Sequence, residues 1–319
     1  MPAFPPALIV AGPTASGKSA LALAIAQHLG GTIINADSMQ VYHELRVLTA
    51  RPTPDDEARV PHLLYGIRPA AQASSVAWWR GEALAAMQQT HKAGRLPILA
   101  GGTGLYFASL TDGLAEIPDP GAEARAEARR RLAEQGPAAL HAGLSKVDPA
   151  TAARLHPTDS QRLARAWEVW LGTGRGLAAW QNQRTAPAPF RFTAILLDPP
   201  RDALREAIAG RFQSMLRHGA IEEVSRLLAQ NLDPALPAMR AHGVPEISAY
   251  LRGAISLEEA GRRAELVTGQ YTKRQATWFR HHPLAAQTRV RTIQTRIARS
   301  EQFSEHELAN LLAFIQNAS

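Results

Sequence analysis

Short apolar runs alternate with longer, alanine-rich stretches between residues 7 and 100 of the chain. The runs Ala7–Ala11, Thr32–Ala36 and Leu96–Ala100 have the length and apolar character of buried strands. Ser19–Leu29 and Val76–Ala93 contain no proline and are each followed by glycine, which predicts helices that end there. The alternation of strand and helix predicts an α/β protein with a doubly wound parallel sheet.

The second half of the chain has a mostly helical pattern. Thr193–Leu197 predicts one further strand, whereas Ala203–Leu216, Ile221–Leu228 and Leu257–Phe279 predict helices. We therefore expect a helical C-terminal region beside the sheet.

A charged, alanine-rich stretch interrupts the α/β pattern near the middle of the chain. Ala122–Gln135 within it predicts a helix, and Gln161–Leu171 predicts a further helix that rejoins the core. We expect a helical insertion domain at 118–157, set into a core that is formed by 1–117 and 158–319.

The composition is that of an intracellular globular protein. Of the 319 residues, 45% are apolar and 20% are charged, which supports a buried core, and none is cysteine. The missing cysteines exclude disulfides, zinc–thiolate sites and cysteine nucleophiles, so we expect a cytoplasmic location. No apolar run reaches the ~18 residues of a membrane span, and no basic segment precedes the first apolar run as in a signal peptide.

The chain is basic, and its basic excess is concentrated near the C-terminus. Lys and Arg number 35 against 28 Asp and Glu, a net charge of +7. Residues 240–300 alone contain 11 basic and 4 acidic residues, so the rest of the chain is neutral. Such an excess indicates either a nucleic-acid or phosphate partner or a solvated, arginine-rich surface.

The sequence GPTASGKS follows the first predicted strand and fits the P-loop pattern G-x-x-x-x-G-K-[ST]. Its glycines let successive backbone N–H groups converge on phosphate oxygens. The lysine adds a positive charge, and the serine hydroxyl can bind Mg²⁺. The alternative is a glycine turn before an ordinary helix. The motif predicts that a diphosphate or triphosphate binds to Gly12, Pro13, Thr14, Ala15, Ser16, Gly17, Lys18 and Ser19.

Asp37 follows the second predicted strand, at the edge of the sheet where ligands bind. A carboxylate there can bind Mg²⁺, act as a general base, or cap the next turn, and the sequence leaves these roles open. The third strand ends in the glycine turn Gly101–Gly104 without an acidic residue. The missing acid disfavours a motor ATPase, which usually has an aspartate at such a strand end.

Five segments together resemble the tRNA dimethylallyltransferase family in its bacterial form. They are GPTASGKS at 12–19, DSMQVY at 37–42, GGTGLYF at 101–107, DSQRLARAWEV at 159–169 and KRQATWFR at 273–280. The resemblance implies transfer of a dimethylallyl group from dimethylallyl diphosphate to N6 of the adenosine 3′-adjacent to the anticodon of tRNA. It also implies release of diphosphate, a requirement for Mg²⁺, and the anticodon stem-loop as partner.

The same resemblance implies roles for individual residues. The family's catalytic positions match Asp37 as the base, Lys18 and Ser19 of the P-loop, and Arg240 before a glycine motif, with Ser19 as the Mg²⁺ ligand. Lys273, Arg274 and Arg280 would share roughly one flank of a helix, which suits phosphate contacts. The implied tRNA-binding residues are Asp37, Ser38, Met39, Gln40, Thr103, Arg125, Gln161, Arg162, Leu163, Ala164, Arg165, Arg240, His242, Gly243, Lys273, Arg274, Gln275 and Arg280.

Two positions depart from the family pattern. Leu48 replaces a usual glycine, and Val244-Pro245 follows Gly243 where the family usually has tyrosine. The absence of cysteine excludes the zinc finger of some eukaryotic relatives, and we expect a monomer. Two alternatives are a small-molecule P-loop kinase and a nucleic-acid-binding module with a regulatory P-loop. DSMQVY, the missing acid and the basic C-terminal third favour prenyl transfer.

Overall fold

Six parallel strands form one sheet in the computed structural model, which describes residues 4–298, 302 and 304–318. The strands are β1 (Pro6–Ala11), β2 (Gly31–Asn35), β3 (His62–Leu63), β4 (Leu96–Gly101), β5 (Arg191–Leu197) and β6 (Val290–Ile293). Their order in the sheet is β3-β2-β4-β1-β5-β6. The predicted doubly wound parallel sheet is confirmed.

β1 lies at the centre of the sheet, with Val10 paired to Ala100 of β4 on one side and to Ile195 of β5 on the other. The chain leaves β1 toward β2 and β3 and later crosses to β5 and β6 on the opposite side. The carboxyl end of β1 is therefore the switch point at which ligands bind in such sheets.

Some of the described helices cover the two faces of the sheet, some form the C-terminal region, and others build a second compact unit. They are α1 (Lys18–Leu29), α2 (Pro54–Arg59), α3 (Val76–Lys92), α4 (Gly104–Thr111), α5 (Ala122–Val147), α6 (Pro149–Ala152), α7 (Ser160–Thr173), α8 (Leu177–Gln181), α9 (Arg201–Arg217), α10 (Ala220–Leu228), α11 (Val244–Leu251), α12 (Leu257–His281) and α13 (Glu305–Ala318).

Two hydrophobic layers lie against the sheet because side chains alternate along each strand. Leu8 and Val10 of β1 pack in one layer with Leu21 of α1. Ile9 packs in the opposite layer with Trp79 of α3. The continuous apolar character of the strands, which are buried on both faces, made them recognisable in the sequence.

One strand lies in a region where the sequence pattern predicts helices. β6 pairs in parallel with β5, with Ala194 opposite Val290 and Leu197 opposite Ile293. The sequence pattern does not predict this strand, although the helices predicted over 203–216, 221–228 and 257–279 are present. The strand is only four residues long, and pairing with β5 rather than its own sequence pattern specifies it.

Asp112–Pro187 forms a compact unit, and Met1–Thr111 with Ala188–Ser319 forms the other. The predicted insertion at 118–157 lies within the first of these ranges. The division into a core and an insertion domain stays a prediction.

The unit Asp112–Pro187 has a hydrophobic core of its own. Trp167 of α7 packs in this core and donates an indole hydrogen bond of 2.9 Å to the carbonyl of Leu140 in α5. The helix predicted over 161–171 is present as α7, and its buried face packs on α5. α5 is interrupted at Gly136, whose φ of 77° is followed by a proline.

In the part of the chain that the structure describes, no helix combines the length and apolar character that a bilayer crossing requires.

Candidate active site

The P-loop connects the carboxyl end of β1 to the start of α1. Ala15 and Gly17 have φ values of 66° and 95°, in the left-handed region. This conformation turns successive backbone N–H groups toward one side and makes a concave anion site at the N-terminus of α1. A Cβ at position 17 would collide with the carbonyl of Ile297, so only glycine fits there.

A segment near the C-terminus fixes the back of the P-loop. The guanidinium of Arg296 donates to the carbonyl of Ala15 at 3.0 Å, and the backbone N–H of Ile297 donates to the carbonyl of Ser16 at 3.0 Å. The left-handed turn at Ala15 is therefore stabilised by chain that lies almost three hundred residues away in sequence.

Lys18 is half-buried and donates a hydrogen bond of 3.2 Å to the carbonyl of Pro13. Burial lowers the pKa of Lys18 to about 8, the charge of Asp37 opposes this shift, and the charge of Arg211 adds to it. An anion in the P-loop would favour the charged form of Lys18. Ser19, at the first turn of α1, is exposed.

Asp37 caps the turn that follows β2. Its Oδ1 accepts hydrogen bonds from the backbone N–H groups of Met39 at 2.9 Å and Gln40 at 3.4 Å. Its own N–H donates to the side chain of Asn35 at 2.8 Å, which fixes the backbone on the other side. None of the described residues donates to Oδ2, so the capping role leaves one carboxylate oxygen for chemistry.

The glycine turn after β4 lies against the segment that carries Asp37. The backbone N–H of Ser38 donates to the hydroxyl of Thr103 at 3.0 Å, and the N–H of Thr103 donates to the carbonyl of Ala36 at 3.2 Å. A Cβ at Gly101 would collide with the backbone of Ala36. Thr103 thus serves as an anchor for the Asp37 segment.

A cavity of about 240 Å³ lies beside the P-loop and Asp37. Its polar lining includes Thr14, Asp37, Arg211, Arg240, His242 and Tyr271. Its apolar lining includes Met39, Leu48, Ile208, Phe212, Met215 and Ala264. The cavity therefore offers a charged end next to a small hydrophobic pocket.

Arg211 of α9 is a cavity residue that the sequence interpretation missed. Its guanidinium donates to the carbonyl of Thr49 at 3.2 Å. Burial lowers the pKa of Arg211, and the charge of Asp37 opposes this shift. A signal exists in the sequence, because Arg211 falls at helical spacing between the apolar residues Ile208 and Met215.

The loop that contributes Leu48 to the cavity is fixed by a buried carboxylate. Glu223 of α10 accepts hydrogen bonds from the backbone N–H groups of Arg46 at 2.8 Å, Val47 at 2.7 Å and Leu48 at 2.9 Å. The side-chain amide of Gln40 donates to the carbonyl of Thr49 at 2.8 Å. The amide of Gln40 therefore binds this loop.

Leu48, one departure from the family pattern, lies close to Gly243, the residue that precedes the other departure. A Cβ placed on Gly243, whose φ is 95°, would lie 2.7 Å from Cδ2 of Leu48. Val244, which replaces the usual tyrosine, is buried in the same hydrophobic layer as Leu48. The larger residue at position 48 thus accompanies a smaller one at position 244.

Arg240 and His242 lie on the segment before α11. Arg240 lines the cavity but is exposed. The ring of His242 packs edge-on against Tyr271 with 4.9 Å between centroids. Burial lowers the pKa of His242 and raises the pKa of Tyr271 to about 12, so both side chains are uncharged near neutral pH.

The predicted tRNA-contacting residues of α12 divide into two groups. Lys273, Arg274 and Arg280 are exposed, and Arg280 lies 3.9 Å from the carboxylate of Asp198. Gln275 is buried and hydrogen bonds to the P-loop. The exposed residues are available to a phosphate backbone.

The remaining predicted tRNA contacts lie in the unit Asp112–Pro187. Arg125 pairs with Asp119, Arg162 with Asp159 and Arg165 with Glu168, while Gln161 is exposed. Leu163 and Ala164 are buried. The side chains of these two residues are therefore not exposed to a partner.

The fold and the site together define a P-loop α/β protein whose anion site opens onto a half-apolar cavity. The model of the family described as IPP transferase matches residues 40–282. A tRNA dimethylallyltransferase of Granulibacter bethesdensis is 62% identical over 311 residues, 97% of this chain and 98% of that protein. One of Gluconacetobacter diazotrophicus is 60% identical, over 97% of this chain and 94% of that protein. The chain belongs to the IPP transferase family.

Solved structures agree with this assignment. The full-length tRNA isopentenylpyrophosphate transferase of Bacillus halodurans is 31% identical, with a TM-score of 0.68, covering 98% of this chain and 97% of that one. A eukaryotic dimethylallyltransferase acting on tRNA is 25% identical, with a TM-score of 0.81, covering 98% of this chain and 80% of that one. The similarity extends over nearly the whole chain.

Proposed function

We propose that this chain transfers a dimethylallyl group from dimethylallyl diphosphate to N6 of the adenosine 3′-adjacent to the anticodon of tRNA. The observation that carries the proposal is the cavity beside the P-loop. It joins Thr14 of the P-loop, the carboxylate of Asp37 and an apolar wall within one small volume. The apolar wall suits a five-carbon prenyl group, which has no hydrogen-bonding atoms to satisfy.

Asp37 acts as the base for the attacking amine. An exocyclic adenine amine is a weak nucleophile, because its lone pair is delocalised into the ring, and it must lose a proton as the C–N bond forms. A carboxylate within hydrogen-bond reach accelerates such a step by about 10²–10⁴-fold. The turn at Met39 and Gln40 uses Oδ1 and fixes the orientation of Asp37, which leaves Oδ2 for the proton.

The P-loop binds the diphosphate and stabilises the charge that develops on it as it leaves. Lys18 and the N-terminus of α1 supply positive charge at one end of the site. Arg211 lies close enough for its charge to affect Lys18, and Arg240 lines the same cavity. The apolar side chains of Leu48, Ile208 and Phe212 surround the prenyl group and exclude water from the allylic carbon.

The residues at the P-loop fit a Mg²⁺ ion that arrives with the diphosphate. The described residues contain no cluster of three acidic or histidine side chains, so a cation would depend on phosphate oxygens and water for most of its ligands. The exposed hydroxyl of Ser19 would hold it. When bound, Mg²⁺ neutralises the leaving diphosphate.

The target adenine is stacked in the anticodon loop and must be flipped into the cavity. Ser38 and Met39 line the cavity near Asp37, which supports a contact with the flipped base. Lys273, Arg274 and Arg280 bind phosphates of the same tRNA. The tRNA substrate fits a cytoplasmic location, and the monomeric state stays a prediction.

The test supplies purified protein and Mg²⁺ with unmodified tRNA and either dimethylallyl diphosphate or ATP. Mass spectrometry of the nucleosides after digestion shows where a group has been added. The proposal predicts prenylated adenosine only with the prenyl donor and at the position 3′ to the anticodon. Turnover of ATP with unmodified tRNA would contradict it.

A further inference from the structure

The side chain of Gln275 joins the two loops that form the polar end of the cavity. Its Oε1 accepts hydrogen bonds from the backbone N–H of Thr14 at 2.8 Å and from the Thr14 hydroxyl at 3.3 Å. Its Nε2 donates to the carbonyl of Gly102 at 2.8 Å. One amide from α12 therefore bridges the P-loop and the glycine turn after β4.

The chemistry of the position matches a side-chain amide. Thr14 presents a donor and Gly102 presents an acceptor, so the bridging group needs an oxygen on one side and an N–H on the other. A glutamate at this position would set a carboxylate against the carbonyl of Gly102. A Cβ on Gly102 would collide with Nε2 of Gln275, so the glycine is also needed at this contact.

Gln275 differs from its neighbours on α12 in where its side chain lies. Lys273 and Arg274 are exposed, whereas Gln275 is only 5% exposed. Its carbonyl and its amide nitrogen are both engaged with the protein. A direct contact with tRNA would have to break these hydrogen bonds and leave the N–H of Thr14 unpaired.

The two loops that Gln275 joins carry the two halves of the proposed reaction. Thr14 belongs to the loop that binds the diphosphate. Gly102 precedes Thr103, and the Thr103 hydroxyl accepts a hydrogen bond from the backbone N–H of Ser38. Ser38 is the residue that follows Asp37. The separation of the P-loop from the glycine turn therefore fixes the separation of the donor from the base.

We propose that Gln275 is a positioning residue that sets the distance between the bound donor and Asp37, and that it does not contact tRNA. This inference rests on the proposed function of the site. It assigns two separate roles to α12. Lys273 and Arg274 face the tRNA, while Gln275 aligns the P-loop with the glycine turn after β4. A displacement of about 1 Å in such an alignment can reduce the rate about 100-fold.

The experiment compares Gln275→Met with Gln270→Met, an exposed glutamine on the same helix. For each variant, three quantities are measured: the dissociation constant of inorganic diphosphate, the dissociation constant of tRNA over a range of salt, and the single-turnover rate with both substrates saturating. For Gln275→Met we expect weaker diphosphate binding by about 3–10-fold, as for the loss of a hydrogen bond, and a rate at least ~10-fold lower. The tRNA affinity and its salt dependence should stay within about twofold of the wild type, and Gln270→Met should resemble the wild type in all three measurements.

A weakened tRNA affinity with unchanged diphosphate binding and an unchanged saturated rate would overturn the proposal and assign Gln275 to the tRNA contact. Wild-type behaviour of Gln275→Met in all three measurements would also overturn it. If the wild type transfers no prenyl group, the proposed function fails by itself. The diphosphate measurement still tests the link between Gln275 and the P-loop in that case.

A second variant covers the case in which Gln275→Met does not fold. In Gln275→Glu, a neutral acid can accept from Thr14 and donate to Gly102, whereas a carboxylate cannot donate. Burial raises the pKa of such an acid. The rate of this variant relative to the wild type should therefore recover as the pH is lowered, and a relative rate that does not change with pH would contradict the bridge.

Discussion

A hydrogen bond of 2.9 Å joins the buried carboxylate of Glu223 to the backbone N–H of Leu48, across 175 residues of sequence. The same carboxylate accepts the N–H groups of Arg46 and Val47. Three donors from one loop thus converge on one side chain of α10. Leu48 and Thr49 of this loop line the cavity, so Glu223 fixes part of the cavity wall without facing the substrate.

Replacing Glu223 by glutamine should destabilise the protein and weaken donor binding. The amide keeps one oxygen but turns an N–H₂ group toward backbone donors, so at least one N–H group loses its partner. We expect a loss of about 2 kcal/mol in the free energy of unfolding, measured by urea denaturation, and a higher KM for dimethylallyl diphosphate. Glu222→Gln removes the same charge from an exposed neighbour and should change neither quantity. Equal stability of the two variants would show that the carboxylate does not fix the loop.

The two arginines of the cavity should contribute unequally. Arg211 is half-buried and lies close enough to Lys18 and Asp37 for its charge to interact with theirs, whereas Arg240 is exposed and screened by water. Arg211→Ala should lower kcat/KM by about 10²–10³-fold, the usual cost of removing a group that stabilises developing charge. Arg240→Ala should cost about tenfold or less. A larger loss for Arg240→Ala than for Arg211→Ala would reverse the two roles.

The affinity for inorganic diphosphate should fall as the pH rises above about 8. Lys18 has a pKa of about 8 in the free protein, mainly because of burial, and the bound anion requires its charged form. Above that pH, a rise of one pH unit should weaken diphosphate binding by up to tenfold. This effect ends when the pH reaches the pKa that Lys18 has in the diphosphate complex. Calorimetric titration across this range measures the effect, and an affinity that does not change above pH 8 would contradict the assignment.

The stability of the protein should change in the opposite direction. Between the folded pKa of about 8 and the unfolded value near 10.5, the unfolded chain holds a proton on Lys18 that the folded protein has lost. The free energy of unfolding therefore gains a contribution that rises with pH in this window. Lys18→Met should lose this contribution, and identical pH dependence of the two proteins would exclude Lys18 as its source.

The exposed cations of α12 should account for part of the salt dependence of tRNA binding. Substituting Lys273 and Arg274 by alanine removes two phosphate contacts and should reduce the slope of log affinity against log salt by about 1.5. Arg262 and Arg263 lie on the same helix and pair with Glu259, so their double alanine variant is a matched control. A slope that falls equally in both variants would show that the salt dependence follows the net charge of the protein rather than phosphate contacts made by Lys273 and Arg274.

Much of the sheet could be predicted because its strands are buried on both faces and therefore appear as uninterrupted apolar runs. β3 and β6 could not be predicted, because strands of two and four residues are too short to show a hydrophobic period. Their pairing with neighbouring strands specifies them. The helix over 161–171 was recognised, but its partner was not. An amphipathic pattern shows that a helix has a buried face without showing what covers it.

The P-loop and Asp37 could be predicted from local spacing, because each acts through its own segment of backbone. Glu223 and Gln275 could not be assigned their positions, since they act on loops far away in sequence. Gln275 was expected at the tRNA surface from the motif that contains it, and only its burial separates it from Lys273 and Arg274. Arg211 lacked a motif, although its place among apolar residues was visible.

The most direct measurement is the single-turnover rate of Asp37→Asn with saturating dimethylallyl diphosphate and tRNA. Asparagine retains an oxygen that can accept the N–H groups of Met39 and Gln40, so the turn remains capped while the base is lost. We predict a rate at least ~100-fold below the wild type, with both substrate affinities within about threefold. A rate equal to that of the wild type would show that Asp37 only caps its turn and would remove the proposed base from the mechanism.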